Sequence, residues 1–184
     1  MLHAFTIKNQ TKVRVLRTSV KISLPYSKEE LKEKNSLLKD YFAIWDTGAT
    51  GCVITKKVVD ELGLKPVGIT EMQHAGGRST TNIYLVNIYL PNGIIIPHVK
   101  VSEAILTNDG IPENYHSNVL IGMNVINLGS FAVSNVNDKT TLSFQVPSSF
   151  EIDFVPDAKE HNVMEGGNRH ERKAFEAKKR KGRI

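Results

Sequence analysis

Asp46-Thr47-Gly48-Ala49-Thr50 is the stretch of this sequence best suited to chemistry. The five residues before it, Tyr41-Phe42-Ala43-Ile44-Trp45, are an unbroken apolar run of strand length, so the Asp46 carboxylate stands where a buried strand ends. A carboxylate in apolar surroundings costs several kcal/mol unless it is hydrogen-bonded or paired. A group held in that way is a candidate acid or base. Gly48 lets the backbone turn tightly and bring amide N–H groups towards the carboxylate, and the Thr47 hydroxyl can bond within or across the loop. At average composition, Asp-Thr-Gly followed by Ala or Ser arises by chance in fewer than ~1 in 100 chains of this length.

Other reactive residue types offer less. Cys52 has no histidine near it in sequence to activate it, and its expected role is that of a small buried apolar side chain. The six histidines, at 3, 74, 98, 116, 161 and 170, lack metal-ligand spacing, so zinc is not expected. His74 is expected to be a solvated loop residue.

The elements that must position Asp46 read as mostly β. Val13–Leu24 alternates as one or two strands. Ser27 and Glu30 stand at capping-box spacing and predict a short helix over 28–39, part of a charged insertion at about 26–40 whose lysines and acids cancel. Thr55 is placed to cap a helix over 56–62 that Gly63 and Pro66 stop. The polar, glycine-bearing stretch 71–81 precedes a strand at 83–90, and Asn92-Gly93 turns the chain into a strand at 94–101. After a loop at 107–117, Val119-Leu120-Ile121-Gly122-Met123-Asn124 is an apolar strand running into a short turn or helix, and Thr140–Val146 is a last strand. Gly122 reads as a close-packing position rather than a substrate contact. The body is therefore expected to be all-β in class, with two or three short helices.

Trp45-Asp46-Thr47-Gly48-Ala49-Thr50 behind its apolar run resembles the catalytic loop of the retropepsin-like aspartic proteases. Three further stretches follow in that family's order. Met72–Thr81 and its strand pair resemble the flap hairpin, Val119–Asn124 resembles the second signature, and Thr140–Val146 a terminal strand. The likeness covers about residues 13–146. It implies a closed retropepsin-like β-barrel and an endopeptidase that hydrolyses peptide bonds with a water activated by two aspartates. This chain carries a single Asp-Thr-Gly, so the resemblance implies a homodimer in which each copy contributes Asp46. Thr47, Gly48 and Ala49 then support the loop. Ala75, Gly76 and Gly77 are either a plain turn or the tip of a mobile lid over a peptide substrate. No metal, cofactor or covalent intermediate is implied.

Length and charge set the remaining bounds. With 184 residues, 40% of them hydrophobic, one real core is expected, over residues 1–155, with a tail at 156–184. The tail holds nine basic and five acidic side chains, most of the net charge of +5. Eight of the basic residues lie from Arg169 onward, a composition that predicts disorder or a weak helix around 171–181. Such a tail can make weak contact with nucleic acid or an acidic partner through 169–184. Residues 1–20 are interrupted by Lys8, Lys12, Arg14 and Arg17, leaving neither a secretory signal core nor a membrane span. With one cysteine as well, a cytoplasmic, soluble protein without membrane contact is expected. Two rival readings keep the same fold: a catalytically silent peptide-binding or dimerisation module, and a dimer whose tail binds nucleic acid.

Overall fold

The computed structural model describes the chain except for residues 28–29, 31–37, 75–76 and 181–184 and the side chains of 72–74. Its contacts divide the chain into two units, Met1–Ser149 and Phe150–Ile184.

Among the described residues, ten strands build the first unit: β1 (His3–Lys8), β2 (Arg17–Ser23), β3 (Lys39–Trp45), β4 (Cys52–Ile54), β5 (Gly68–His74), β6 (Gly77–Leu90), β7 (Ile94–Glu103), β8 (Ser117–Ile121), β9 (Ser130–Val136) and β10 (Lys139–Val146). Helix α1 (Lys56–Leu62) follows β4, and the one-turn helix α2 (Met123–Ile126) follows β8. Neighbouring strands run β2-β3-β8-β4-β7-β6, and β6 pairs back onto β2, so six strands close into a barrel. Closure is favoured because it leaves no unpaired edge among those six. The inward positions, among them Ile22, Ile54, Val86, Ile88, Val101, Val119 and Ile121, are fully buried. This is the mostly β, closed barrel that the sequence predicts.

Outside the ring, β5 pairs only with β6, forming a hairpin whose tip, 75–76, lies outside the described residues. A separate three-stranded sheet in the order β1-β10-β9 packs under the end of β3. Trp45 stacks on Phe131 at 5.4 Å between ring centroids and meets Phe5 and Phe144 at 5.9 and 5.1 Å. Its indole N–H donates to the Thr18 hydroxyl, so the ring's one polar atom is satisfied inside the core.

Local signals behave largely as read. Asn92 and Gly93 take the left-handed backbone of a tight hairpin turn, and Gly63 ends α1 in the same conformation. The Ser27 hydroxyl accepts from the Glu30 amide while the Glu30 carboxylate accepts from the Ser27 amide, a completed capping box. The body of the helix expected over 28–39 lies outside the described residues, and Lys39 already belongs to β3. Thr55 does occupy the N-cap position ahead of α1, but its hydroxyl donates to the Asn118 side chain instead of capping the helix. That bond across to β8 satisfies the side-chain oxygen of the buried Asn118, whose amide nitrogen donates to the His116 carbonyl.

In the second unit, where composition points to a disordered tail or a weak helix, two helices form, α3 (Val155–Gly166) and α4 (Arg169–Arg180). Asn168 caps α4 by accepting from the amides of His170 and Glu171, and Glu171 returns a bond to the Asn168 amide. Lys179 pairs with Glu160, and Phe175 and Val163 are half-buried. No helix among the described residues is long and apolar enough to cross a membrane.

Candidate active site

Strand order dictates the shape of the Asp46 loop. β8 lies between β3 and β4, parallel to the first and antiparallel to the second, so the connection from β3 to β4 must cross over the end of β8. Residues 46–51 are that crossing, and Gly122 is the residue of β8's continuation that passes beneath it. A Cβ on Gly122 would sit 2.3 Å from the Gly51 carbonyl oxygen and 2.9 Å from that of Ala49. The close-packing role read for Gly122 is thus a steric requirement.

The loop is fixed from both sides. The Asp46 amide donates to the Ile121 carbonyl at 3.0 Å, extending the parallel pairing of β3 and β8 by one residue. Beneath, the amides of Met123 and Asn124 donate to the carbonyls of Ala49 and Thr50 at 2.8 and 3.2 Å. Within the loop, the Gly48 amide donates to Asp46 Oδ1 at 2.8 Å and the Ala49 amide to the Asp46 carbonyl at 3.3 Å. These bonds hold the carboxylate in place with one oxygen engaged. Asp46 and Ala49 are half-buried, while Thr47 and Gly48 are exposed on the single chain.

Cys52 sits directly behind the loop, 1% exposed. Its thiol donates to Asn124 Oδ1 at 3.0 Å and accepts from the Gly122 amide at 3.3 Å, which ties β4 to the start of α2. Burial pushes the thiol up to about 11, against the opposing pull of those two bonds. It is a packing group, as expected, and also a stitch. Asn124 was not singled out in the sequence reading; its position two residues after Gly122 was the available signal. Its side-chain amide also donates to the Lys100 carbonyl of β7.

The remaining sequence-expected residues fall elsewhere. Gly77 opens β6 at φ +121°, a conformation that suits glycine, at the base of the hairpin tip. Ala75 and Gly76 lie outside the described residues, and His74 ends β5. A cleft of about 890 Å³ opens between β6, the start of α1 and the segment after β7, lined among others by Thr55, Lys57, Thr80, Ile105, His116 and Asn118. Asn118 lies three residues before Ile121 on β8. At roughly 3.3 Å per strand residue, the cleft begins about 10 Å along β8 from the point that anchors Asp46.

A family model described as aspartyl protease matches residues 39–125. No curated protein matches the chain. Among solved structures, the chain is similar to a retropepsin-like aspartic protease from Rickettsia conorii, with a TM-score of 0.44 and 13% identity over 79% of this chain and 94% of that one. It is also similar to the EIAV protease complexed with the inhibitor HBY-793, with a TM-score of 0.39 and 20% identity over 61% and 86%. For the simian foamy virus (mac) protease the values are 0.35 and 12% over 58% and 89%. The matched segment runs from the strand that delivers Asp46, through the loop and the flap-like hairpin, to the turn after Gly122. Residues 39–125 thus match the aspartyl protease family model, and the chain that carries them is similar to solved retropepsin-like aspartic proteases.

Proposed function

We propose that this chain is an aspartic endopeptidase whose active centre is completed by a second copy of itself. The observation that carries the reading is the Asp46 loop, in which a carboxylate ends a buried strand, one oxygen held by the Gly48 amide, on a support closed from below by Gly122. The chain has one such Asp-Thr-Gly, so a single copy holds half of a two-carboxylate site. Across a two-fold axis, two Asp46 side chains meet. Carboxylates about 3 Å apart do not both ionise at low cost and share one proton, as aspartic proteases illustrate.

The ionised Asp46 takes a proton from a water that attacks the scissile carbonyl. The protonated Asp46 donates to the carbonyl oxygen, and the proton gained from the water is passed to the leaving nitrogen. Thr47, exposed on the single chain, is placed to bond across the axis and hold the two loops in register. The β5–β6 hairpin closes over the substrate as a lid, and an extended peptide adds its backbone to the cleft as a further strand. The cleft beside Asn118 then receives a side chain about three residues from the scissile bond.

The pair titrates in two steps, so cleavage is favoured at acid pH, where one proton is shared, and falls as rising pH ionises both carboxylates. Asp46→Asn is expected to lower cleavage of an unfolded protein substrate by at least about a hundredfold while leaving the melting temperature in place. A wild-type dimer that cleaves nothing from acid to neutral pH would favour the silent peptide-binding module. Salt-dependent nucleic-acid binding lost on deleting 169–184 would favour the tail-centred reading.

A further inference from the structure

We infer that the cleft beside Asn118 selects a glutamate side chain of the substrate, its carboxylate paired with Lys57 and its methylene stem lying on Ile105. The inference rests on the proposed protease reading, which brings an extended peptide past this cleft but does not say what the cleft selects.

The neutral polar groups in the walls of the cleft satisfy one another. Asn118 accepts from the Thr55 hydroxyl and donates to the His116 carbonyl, both at 3.0 Å. Asn108 donates to the carbonyls of Leu106 and Ser117 and accepts from the Ser117 amide. The His116 Nε2 donates to the Ile111 carbonyl, and the Thr81 hydroxyl donates to that of Glu103. An incoming polar side chain that displaced one of these bonds would leave a half-buried group without a partner, which costs more than an ordinary hydrogen bond returns.

Charge is distributed differently. Lys56, Lys57 and Glu103 line the cleft. Lys56 pairs with Asp60, one turn further along α1, at 2.8 Å, and the Glu103 carboxylate accepts from the Tyr84 hydroxyl at 2.8 Å. Lys57 makes neither an ion pair nor a hydrogen bond among the described residues. On its other flank it borders a smaller cavity of about 320 Å³ that holds Asp40, Glu61 and Glu113. Asp40 pairs with Lys21, Glu61 accepts from the Tyr41 hydroxyl, and none of the three pairs with Lys57. The ammonium therefore keeps its three donors for a ligand, and a carboxylate is the group that matches its charge.

Ile105 supplies the other half of the match. It lines the cleft and is nevertheless 94% exposed, an aliphatic surface that no described residue covers. Glutamate answers both features, with an apolar stem for Ile105 and a charged tip for Lys57. Glutamine lacks the charge, and lysine would bring two ammonium groups together. The cleft begins about 10 Å along β8 from the anchor of Asp46, or about three residues of extended peptide. Two copies about a two-fold axis present two such clefts, so the preferred substrate carries an acid about three residues from the scissile bond on either side.

The test offers the full chain a pool of peptides of randomised sequence between about pH 5 and 6, above the ordinary range of a glutamate carboxyl, and reads the residues flanking each cut by mass spectrometry. The same pool is also passed over immobilised Asp46→Asn and the retained peptides are sequenced, a readout that needs no cleavage. The wild type is expected to favour glutamate over glutamine and lysine by about two- to fivefold at each of the two positions, the range of one exposed ion pair, and to lose most of that preference at about 0.5 M salt. Lys57→Glu is expected to reverse the preference towards lysine. Lys65→Glu changes the net charge equally from a position outside both cavities and is expected to retain it.

Cuts by the wild type with glutamate, glutamine and lysine equally frequent at those positions overturn the glutamate site and leave the protease reading standing. So does a preference that Lys57→Glu leaves in place or that Lys65→Glu removes. A wild type that cuts nothing, with Asp46→Asn retaining glutamate-rich peptides and Asp46→Asn/Lys57→Glu retaining lysine-rich ones, supports the site and overturns the protease reading. Neither cleavage nor enrichment overturns both.

Discussion

Gly122 shows how narrowly the Asp46 loop is specified. Its missing side chain is what allows the β3–β4 crossing to lie against the continuation of β8, with the Gly51 oxygen 2.3 Å from where a Cβ would stand. The obstacle is backbone, which cannot rotate away as a flexible side chain would. Gly122→Ala is expected to lower stability by about 1–3 kcal/mol, the usual cost of overpacking, and to lift the loop so that activity falls more than stability does. Parallel measurement of the denaturant midpoint and of kcat/KM checks both halves. Gly48 differs: a Cβ there would meet only Asp46 Oδ1, at 3.2 Å. These two glycines were also the most readable residues in the sequence, one in an Asp-Thr-Gly and the other ending an apolar run. Thr55 was misread because a threonine ahead of a helix is a cap by default, and nothing local to it points to an amide 63 residues away on β8.

Between elements, the links that matter are side-chain bonds made by groups that stay protonated. Cys52 joins β4 to α2, the Tyr41 hydroxyl on β3 donates to Glu61 of α1, and the Tyr84 hydroxyl on β6 donates to Glu103 of β7. All three are raised above their ordinary values, chiefly by burial, with the facing glutamates adding to it for the tyrosines. The sign follows from that direction. A group that holds its proton more tightly when folded stabilises the fold fully below its unfolded value, and the contribution is lost as pH rises towards the folded value. For Cys52 the window runs from its ordinary 9.0 to about 11, worth about 3 kcal/mol over two pH units. The melting temperature is expected to fall steeply across that interval, and less steeply in Cys52→Ala. An unchanged slope in Cys52→Ala would show that the thiol is not the group responsible.

The same scale explains what the sequence left hidden. The long apolar strands and the Asn92-Gly93 turn were readable because pattern and turn chemistry agree. β1 and β9 were not, since each is short, half polar and made a strand only by pairing with β10, a partner 137 residues from β1 at Thr6–Ser143. The Asn137-Asp138 turn that joins β9 to β10 carried a signal, because both residue types tolerate left-handed backbone. It lacks the glycine that makes such a turn stand out.

For the molecule as a whole, a site shared by two chains makes activity a function of concentration. Specific activity is expected to decline on dilution through the dimer dissociation constant, following the mass fraction of dimer measured by sedimentation. A constant activity per chain in samples shown to be monomeric would contradict the shared site.

The pairing of β1 with β10 also sets a timetable for synthesis. His3 lies opposite Val146, so the first strand made has no neighbour until nearly the whole barrel sequence has been translated. The floor beneath Trp45 is drawn from Phe5, Phe131 and Phe144, two of them late in that span. At roughly 5–20 residues per second, the ribosome needs on the order of ten seconds or more to supply them. Until then the Asp46 loop lacks its base.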